Sequence, residues 1–179
     1  MIKTYNMKQE YTYWLALANA ENIYTRRKNE ILAKIHENNS SLTHFFTEEN
    51  NWKSSFDLSQ DEIQSLLQEK EKLNNYSFIV EDLLEQGYQI IPIFSSDYPK
   101  TLKRNLKFSS PILLYAYGNI ELLNKESVAI VGSRNANDTS LNFTDNIASL
   151  SVSDGFVVVS GYAKGVDRQA LDSAIRNGG

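Results

Sequence analysis

The sequence predicts an α/β protein: a small all-helical domain followed by a parallel sheet with crossover helices. Three observations carry that expectation. Over residues 1–85 apolar side chains recur at three- and four-residue spacing, the period of an amphipathic helix. Two later runs, SVAIVGS (127–133) and GFVVVSG (155–161), are continuously apolar, as strands buried on both faces of a parallel sheet are. Between them lies a helical stripe, Phe143, Ile147 and Leu150, which makes the order strand, helix, strand, helix.

Taken in order, KQEYTYWLALANA (8–20) and IYTRRKNEILAKIHE (23–37) read as two helices, the second with Ile23, Ile31 and Ile35 along one stripe. In FDLSQDEIQSLLQEKEKL (56–73), Ser59 precedes Glu62 by three residues. That is a capping box ahead of Ile63, Leu66 and Leu67. YSFIVEDLLEQG (76–87) continues the pattern and stops at Gly87, a C-terminal cap. Then the pattern changes: YQIIPIF (88–94) and PILLYAYG (111–118) are short, rich in β-formers and bounded by Pro or Gly. A domain boundary is therefore expected near residue 85, giving a helical domain over 1–85 and an α/β domain over 86–179. A third parallel strand should follow residues 177–179, so the expectation is a sheet incomplete at the C-terminal end, a piece of a longer protein.

Composition narrows the function. The chain has 179 residues, 41% hydrophobic and 22% charged, the profile of an ordinary globular protein. There is no cysteine, which removes disulfides and thiolate chemistry. The two histidines, His36 and His44, lack a ligand-spaced partner, so neither a metal nor a catalytic role is expected. No apolar run is long enough to span a bilayer and no signal peptide opens the chain; a cytoplasmic protein without a membrane partner is expected. The net charge of −4 is uneven: residues 1–85 carry nine Lys and Arg against fourteen Asp and Glu, residues 86–179 nine against eight. An anionic ligand is to be sought in the second half.

Both apolar runs end in small flexible loops, where ligands of open α/β sheets sit. The first loop offers Gly132 for close backbone approach, the Ser133 hydroxyl and the Arg134 guanidinium, a planar fork suited to phosphate oxygens. The second contains Ser160, Gly161, Lys164 and Gly165. Its main-chain N–H groups and the helix that follows suit a phosphate, and Lys164 adds a compact charge. Neither loop matches the dinucleotide or P-loop pattern, so no cofactor is implied. The plainer alternatives are a tight strand-to-helix turn for Gly161 and Gly165, and for Asp167 the N-cap of a helix over 168–175. The run YPKTLKRNLKF (98–108) sets Lys100, Lys103, Arg104 and Lys107 at i, i+3, i+4, i+7. On a helix they share one face: a solvated surface, or an extension of the electrostatic track from the two loops.

VAIVGSR, then SGYAKGVD, then an Ala spaced into a helix that ends in Gly-Gly, together with Tyr98-Pro99 and SPILLYAYGN (110–119), resemble the bacterial DNA-processing protein A family, also called DprA or Smf. The match is good over about residues 76–179 and only architectural before that. The resemblance implies a Rossmann-like domain, preceded by a helical domain of the SAM or helix-hairpin-helix type. It further implies binding of single-stranded DNA, loading of the RecA recombinase during natural transformation, a homodimer, and no catalytic step. The family's Gly-Ser-Arg loop carries over onto Gly132, Ser133 and Arg134, and its second loop onto Ser160, Gly161, Ala163, Lys164, Gly165, Val166 and Asp167. This chain departs from the pattern at Ala136–Ser140 and at Leu171, where the family has a His, and it lacks the Gly-x-Gly hairpin in its helical part. Two rivals remain: a phosphoribohydrolase-like enzyme of related fold, whose Pro-Gly-Gly-x-Gly-Thr motif is not in this sequence, and a sensor of a nucleotide-derived signal.

Overall fold

The computed structural model describes the backbone of residues 2–179, with side chains from Lys8 onward. The chain divides into two compact units, meeting at Ile120 and Glu121.

In the first unit the helices are α1 (Ile2–Asn19), α2 (Thr25–Glu37), α3 (Leu42–Thr47), α4 (Trp52–Phe56), α5 (Gln60–Glu71) and α6 (Leu73–Glu85). The capping box at α5 forms as its sequence requires: Ser59 Oγ accepts from Glu62 N–H, and the Glu62 carboxylate accepts from Ser59 N–H at 2.8 Å. Past α6, Gly87 takes φ +85 and its N–H reaches the carbonyl of Leu84, the left-handed exit expected there. Two short helices, α3 and α4, fall where no period was legible. They are held by packing instead: Phe45, Phe46, Trp52 and Phe56 form one aromatic cluster, with the Trp52 indole N–H donating to Phe45 O at 2.7 Å.

The strands β1 (Tyr88–Pro92) and β2 (Leu113–Tyr117) pair antiparallel, Tyr88 opposite Tyr117. Ile90, Ile91 and Leu113 share a core with Leu15, Ile31, Phe46 and Leu66 of the helical part. The compact unit therefore closes after residue 120 and not near 85. This sheet is one layer of the helical unit's core, and a composition change along the chain does not reveal which core a strand joins. Between the two strands α7 (Lys100–Leu106) is anchored by the Tyr98 hydroxyl donating to Pro111 O and by Lys103 Nζ donating to Ile93 O.

Burial and hydrogen bonding shift several phenols in this unit. Tyr76, Tyr11, Tyr98 and Tyr115 are all raised above 10.0, desolvation being the main cause. Tyr76 also donates a short hydrogen bond to the buried Glu69 carboxylate. Lys28 is lowered by desolvation, partly offset by the charge of Glu69. A phenol whose folded pKa is raised contributes stability that is complete below pH 10.0 and lost as pH climbs beyond it. Lys28 acts oppositely, since its folded form releases the proton earlier. With four phenols and Lys72, raised by its hydrogen bond to Glu69, set against Lys28, the urea midpoint is expected to fall above about pH 10. Tyr76→Phe should flatten that fall, and an unchanged slope in the variant would refute the assignment.

The second unit is a βαβα motif: β3 (Ser127–Ala129), α8 (Asp138–Ser153), β4 (Val157–Val159) and α9 (Val166–Arg176). The strands run parallel, Val128 opposite Val158, and the fold is of the α/β class. Asn137 caps α8 by accepting from Ser140 N–H, and Asp154-Gly155 closes it, Gly155 at φ +84. The core is small: Ala148, Val158, Ala170 and Ala174, with Ile130, Val152 and Leu171 around them. The strands are not buried on both faces as their sequence suggests. Ala129 and Val159 are exposed, because α8 and α9 pack on the Val158 side and the sheet has only two strands.

Candidate nucleic-acid interface

The two loops at the carboxyl ends of β3 and β4 lie directly against each other. Val166 N–H donates to Ser133 O at 3.1 Å, so the N-terminus of α9 is fastened to the first loop. Gly165 occupies φ +93, ψ −131, a region almost closed to other residues. A Cβ there would run into the Ser133 carbonyl and lie 2.8 Å from Arg134 O. A Cβ on Gly132 would meet the Val166 side chain at 2.8 Å, and one on Gly161 would meet Asp167 Oδ2 at 3.0 Å. All three glycines thus allow the loops to interlock, and room for a ligand is not needed to explain them.

Asp167 is not the cap of α9. The helix begins two residues earlier than that cap would allow, at Val166, with Gly165 as its N-cap and no side-chain capping bond. The Asp167 carboxylate crosses to the other loop and accepts from Gly132 N–H at 3.0 Å. The two extra residues are possible because Gly165, at φ +93, lets the chain enter the helix sooner than an N-cap at Asp167 would. Gly132 N–H is consequently engaged, and that loop does not present it outward.

Both serines are also engaged. Ser160 Oγ donates to Ile130 O at 2.6 Å, tying the second loop to the end of β3, while Ser133 Oγ accepts from Asn135 N–H at 3.1 Å. The second loop differs. Among the described residues, no acceptor takes the backbone N–H of Gly161, Tyr162, Ala163, Lys164 or Gly165. Arg134 and Lys164, one on each loop, are exposed, and neither forms an ion pair or side-chain hydrogen bond among those residues. The cations of this unit that do find partners sit on α9: Arg168 with Asp172, and Arg176 with Asp145. A residue that the motif did not single out, Tyr162, stands in the second loop at φ +54, over half exposed, with Arg168 5.7 Å from its ring and its hydroxyl on Asp172.

The basic run of the first unit does not make one face. Helix α7 ends at Leu106, and Lys107 leaves it with φ +51, ψ −124. Lys103 bonds Ile93 O and lies over the Phe94 ring; Lys100 has a partner, whereas Arg104 is exposed. Among the described residues no cluster of three metal-binding side chains occurs, and no helix is long and apolar enough to cross a membrane.

Removing the Asp167 charge while keeping its acceptor tests the cross-loop bond. Asp167→Asn should leave the melting temperature within a few degrees of the parent, because the amide oxygen still receives Gly132 N–H. Asp167→Ala should destabilise by about 1.5–3 kcal/mol, the value of a hydrogen bond to a charged group. Equal melting of the Ala and Asn variants would show that the bond contributes nothing.

The family model described as DNA recombination-mediator protein A matches residues 89–179. Among curated proteins, the chain is 33% identical over 110 residues to DNA processing protein DprA of Streptococcus pneumoniae, covering 60% of this chain and 38% of that protein. To DprA of Bacillus subtilis it is 34% identical over 93 residues, 51% of this chain and 31% of the relative. Protein Smf of Synechocystis is 28% identical over 181 residues, 95% of this chain and 42% of the relative. The chain thus spans less than half the length of these relatives. The crystal structure of the Streptococcus pneumoniae DprA aligns with a TM-score of 0.65 at 20% identity, over 94% of this chain and 55% of that one, and so shares the fold. The motifs around Gly132-Ser133-Arg134 and Ser160–Asp167 lie inside the matched span, and with a family model covering half its length, this chain belongs to the DNA recombination-mediator protein A family.

Proposed function

We propose that this chain is the single-stranded-DNA-binding part of a DprA-type recombination mediator. In this reading it acts in the cytoplasm, holds incoming DNA by its phosphates, and helps load the RecA recombinase, as a homodimer and without a catalytic step. One observation supports it above the others. Two interlocked loops carry the N–H groups of residues 161–165, which meet no acceptor among the described residues, and an exposed cation each, Arg134 and Lys164, without an ion-pair partner among those residues. Main-chain donors and point charges recognise phosphate oxygens and carry no base sequence, which suits single strands read without specificity. Gly161, Lys164 and Gly165 supply backbone, Arg134 and Lys164 supply charge, and Ser133 can still donate its hydroxyl proton. Gly132 and Ser160 hold the loops in place.

The test is a fluorescence-anisotropy titration of a labelled oligodeoxythymidylate at several salt concentrations, with duplex DNA and thymidine monophosphate as competitors. Two phosphate contacts on a single strand give a log–log salt slope near −1.4, about a sevenfold loss of affinity between about 50 and 200 mM salt. Oligonucleotide should be preferred over duplex and over the mononucleotide. Tight mononucleotide binding with a flat salt response would replace this reading with the nucleotide sensor.

A further inference from the structure

A cavity of about 310 Å³ lies wholly within the first unit, between α2 and the turn that follows α7. Its walls are Phe94 and Phe108, exposed by 42% and 50% although both are large and apolar. Two ammonium groups border it. Lys103 Nζ is fixed 5.0 Å over the Phe94 ring by its bond to Ile93 O, and Lys107 has no side-chain partner among the described residues. His36 stacks on Phe94 with ring centroids 4.9 Å apart, so that ring is braced and Phe108 is the open one. Asn29 also lines the cavity and is only 5% exposed. Its amide nitrogen is engaged by the carbonyls of Thr25, Phe108 and Ser110.

We propose that this cavity takes one unstacked nucleotide of a single-stranded DNA, the base against Phe108 and the flanking phosphate at Lys107 and Lys103. The proposal rests on the DNA reading above and adds a site that the Gly-rich loops do not include. The chemistry selects the occupant. An apolar slot with an aromatic wall suits a flat ring, and every base offers a π-face for stacking. Two cations at the rim match a phosphate, whereas a neutral aromatic ligand would leave them unused. Lys107 holds a left-handed backbone in a residue other than glycine, a conformation that costs free energy and that occurs often at functional positions.

The experiment uses an oligodeoxythymidylate carrying one fluorescent purine analogue, titrated into the parent chain and into Phe108→Ala, Phe108→Leu and Lys107→Ala, with Arg134→Ala alongside. Loss of one base-stacking contact weakens binding roughly tenfold. Phe108→Ala and Phe108→Leu should both show that loss and erase the analogue's fluorescence change, since leucine keeps the bulk but not the π-face. Phe108→Leu also covers the case in which Phe108→Ala fails to fold. Lys107→Ala should weaken binding and reduce the salt slope by about 0.7. If Arg134→Ala weakens binding while all variants at 107 and 108 bind like the parent, the loop site stands and this one is refuted. If the parent binds no oligonucleotide, both readings fall. A free thymidine monophosphate that displaces the analogue signal as strongly as the oligomer would overturn the single-strand occupant.

Discussion

Arg134→Ala and Lys164→Ala are each expected to weaken binding of single-stranded DNA about tenfold or more, with melting behaviour unchanged. The size follows from the contact: a charge-assisted hydrogen bond to phosphate is worth on the order of 1.5–3 kcal/mol before screening, and about 1.4 kcal/mol is one decade of affinity. The unchanged stability follows from the structure, since both side chains are exposed and neither holds another of the described residues. Arg134→Lys should recover only part of the loss, because an ammonium cannot present two parallel donors to one phosphate. The double variant separates two arrangements. If both cations hold one phosphate, the combined loss will differ from the sum of the single losses; if they hold successive phosphates, the losses will add. Binding that survives in both single variants at low salt would remove the loop pair from the DNA site. Asp167→Asn provides an opposing control, because deleting a negative charge beside the same loops should tighten binding modestly and only at low salt.

Local chemistry was legible in the sequence and long-range chemistry was not. The Ser59–Glu62 capping box, the left-handed Gly87 and the close of α8 at Asp154-Gly155 involve partners within a few residues, and each is where the pattern puts it. The four strands are also found at their apolar runs. What a strand packs on is set by residues far away: Ile90 and Ile91 join the core of Leu15 and Phe46, which no window of sequence around residue 90 can show. Asp167 is the same case at the scale of one residue. An Asp before a helical stripe resembles a cap, and only the fold brings Gly132 N–H within reach of it. The Lys100–Lys107 stripe failed because an ideal helix was extended one residue past its actual end. Asn29 left no signal at all, since its importance arises from carbonyls about 80 residues away.

The largest loss of stability is expected at Gly165. An alanine there would meet two obstacles at once. The backbone conformation, φ +93 and ψ −131, is costly for any residue with a Cβ, on the order of 1–3 kcal/mol. The added carbon would also collide with the Ser133 carbonyl, a backbone atom that cannot rotate aside. The Val166 N–H to Ser133 O bond, which joins α9 to the first loop, must stretch or break to relieve it. Gly155 supplies the control within the same unit: it has a similar φ of +84, but nothing lies within 4 Å of a Cβ. Gly155→Ala should therefore show the conformational cost alone, about 1 kcal/mol, and Gly165→Ala should exceed it by about 2 kcal/mol or more. Urea unfolding of both variants measures the difference, and the oligonucleotide titration shows its consequence. Gly155→Ala should bind DNA like the parent, whereas Gly165→Ala should lose binding even where it remains folded, because parting the loops moves the N–H row away from Arg134. Equal destabilisation by the two substitutions would mean that the loops tolerate separation, and with it the interlocked phosphate site would be refuted.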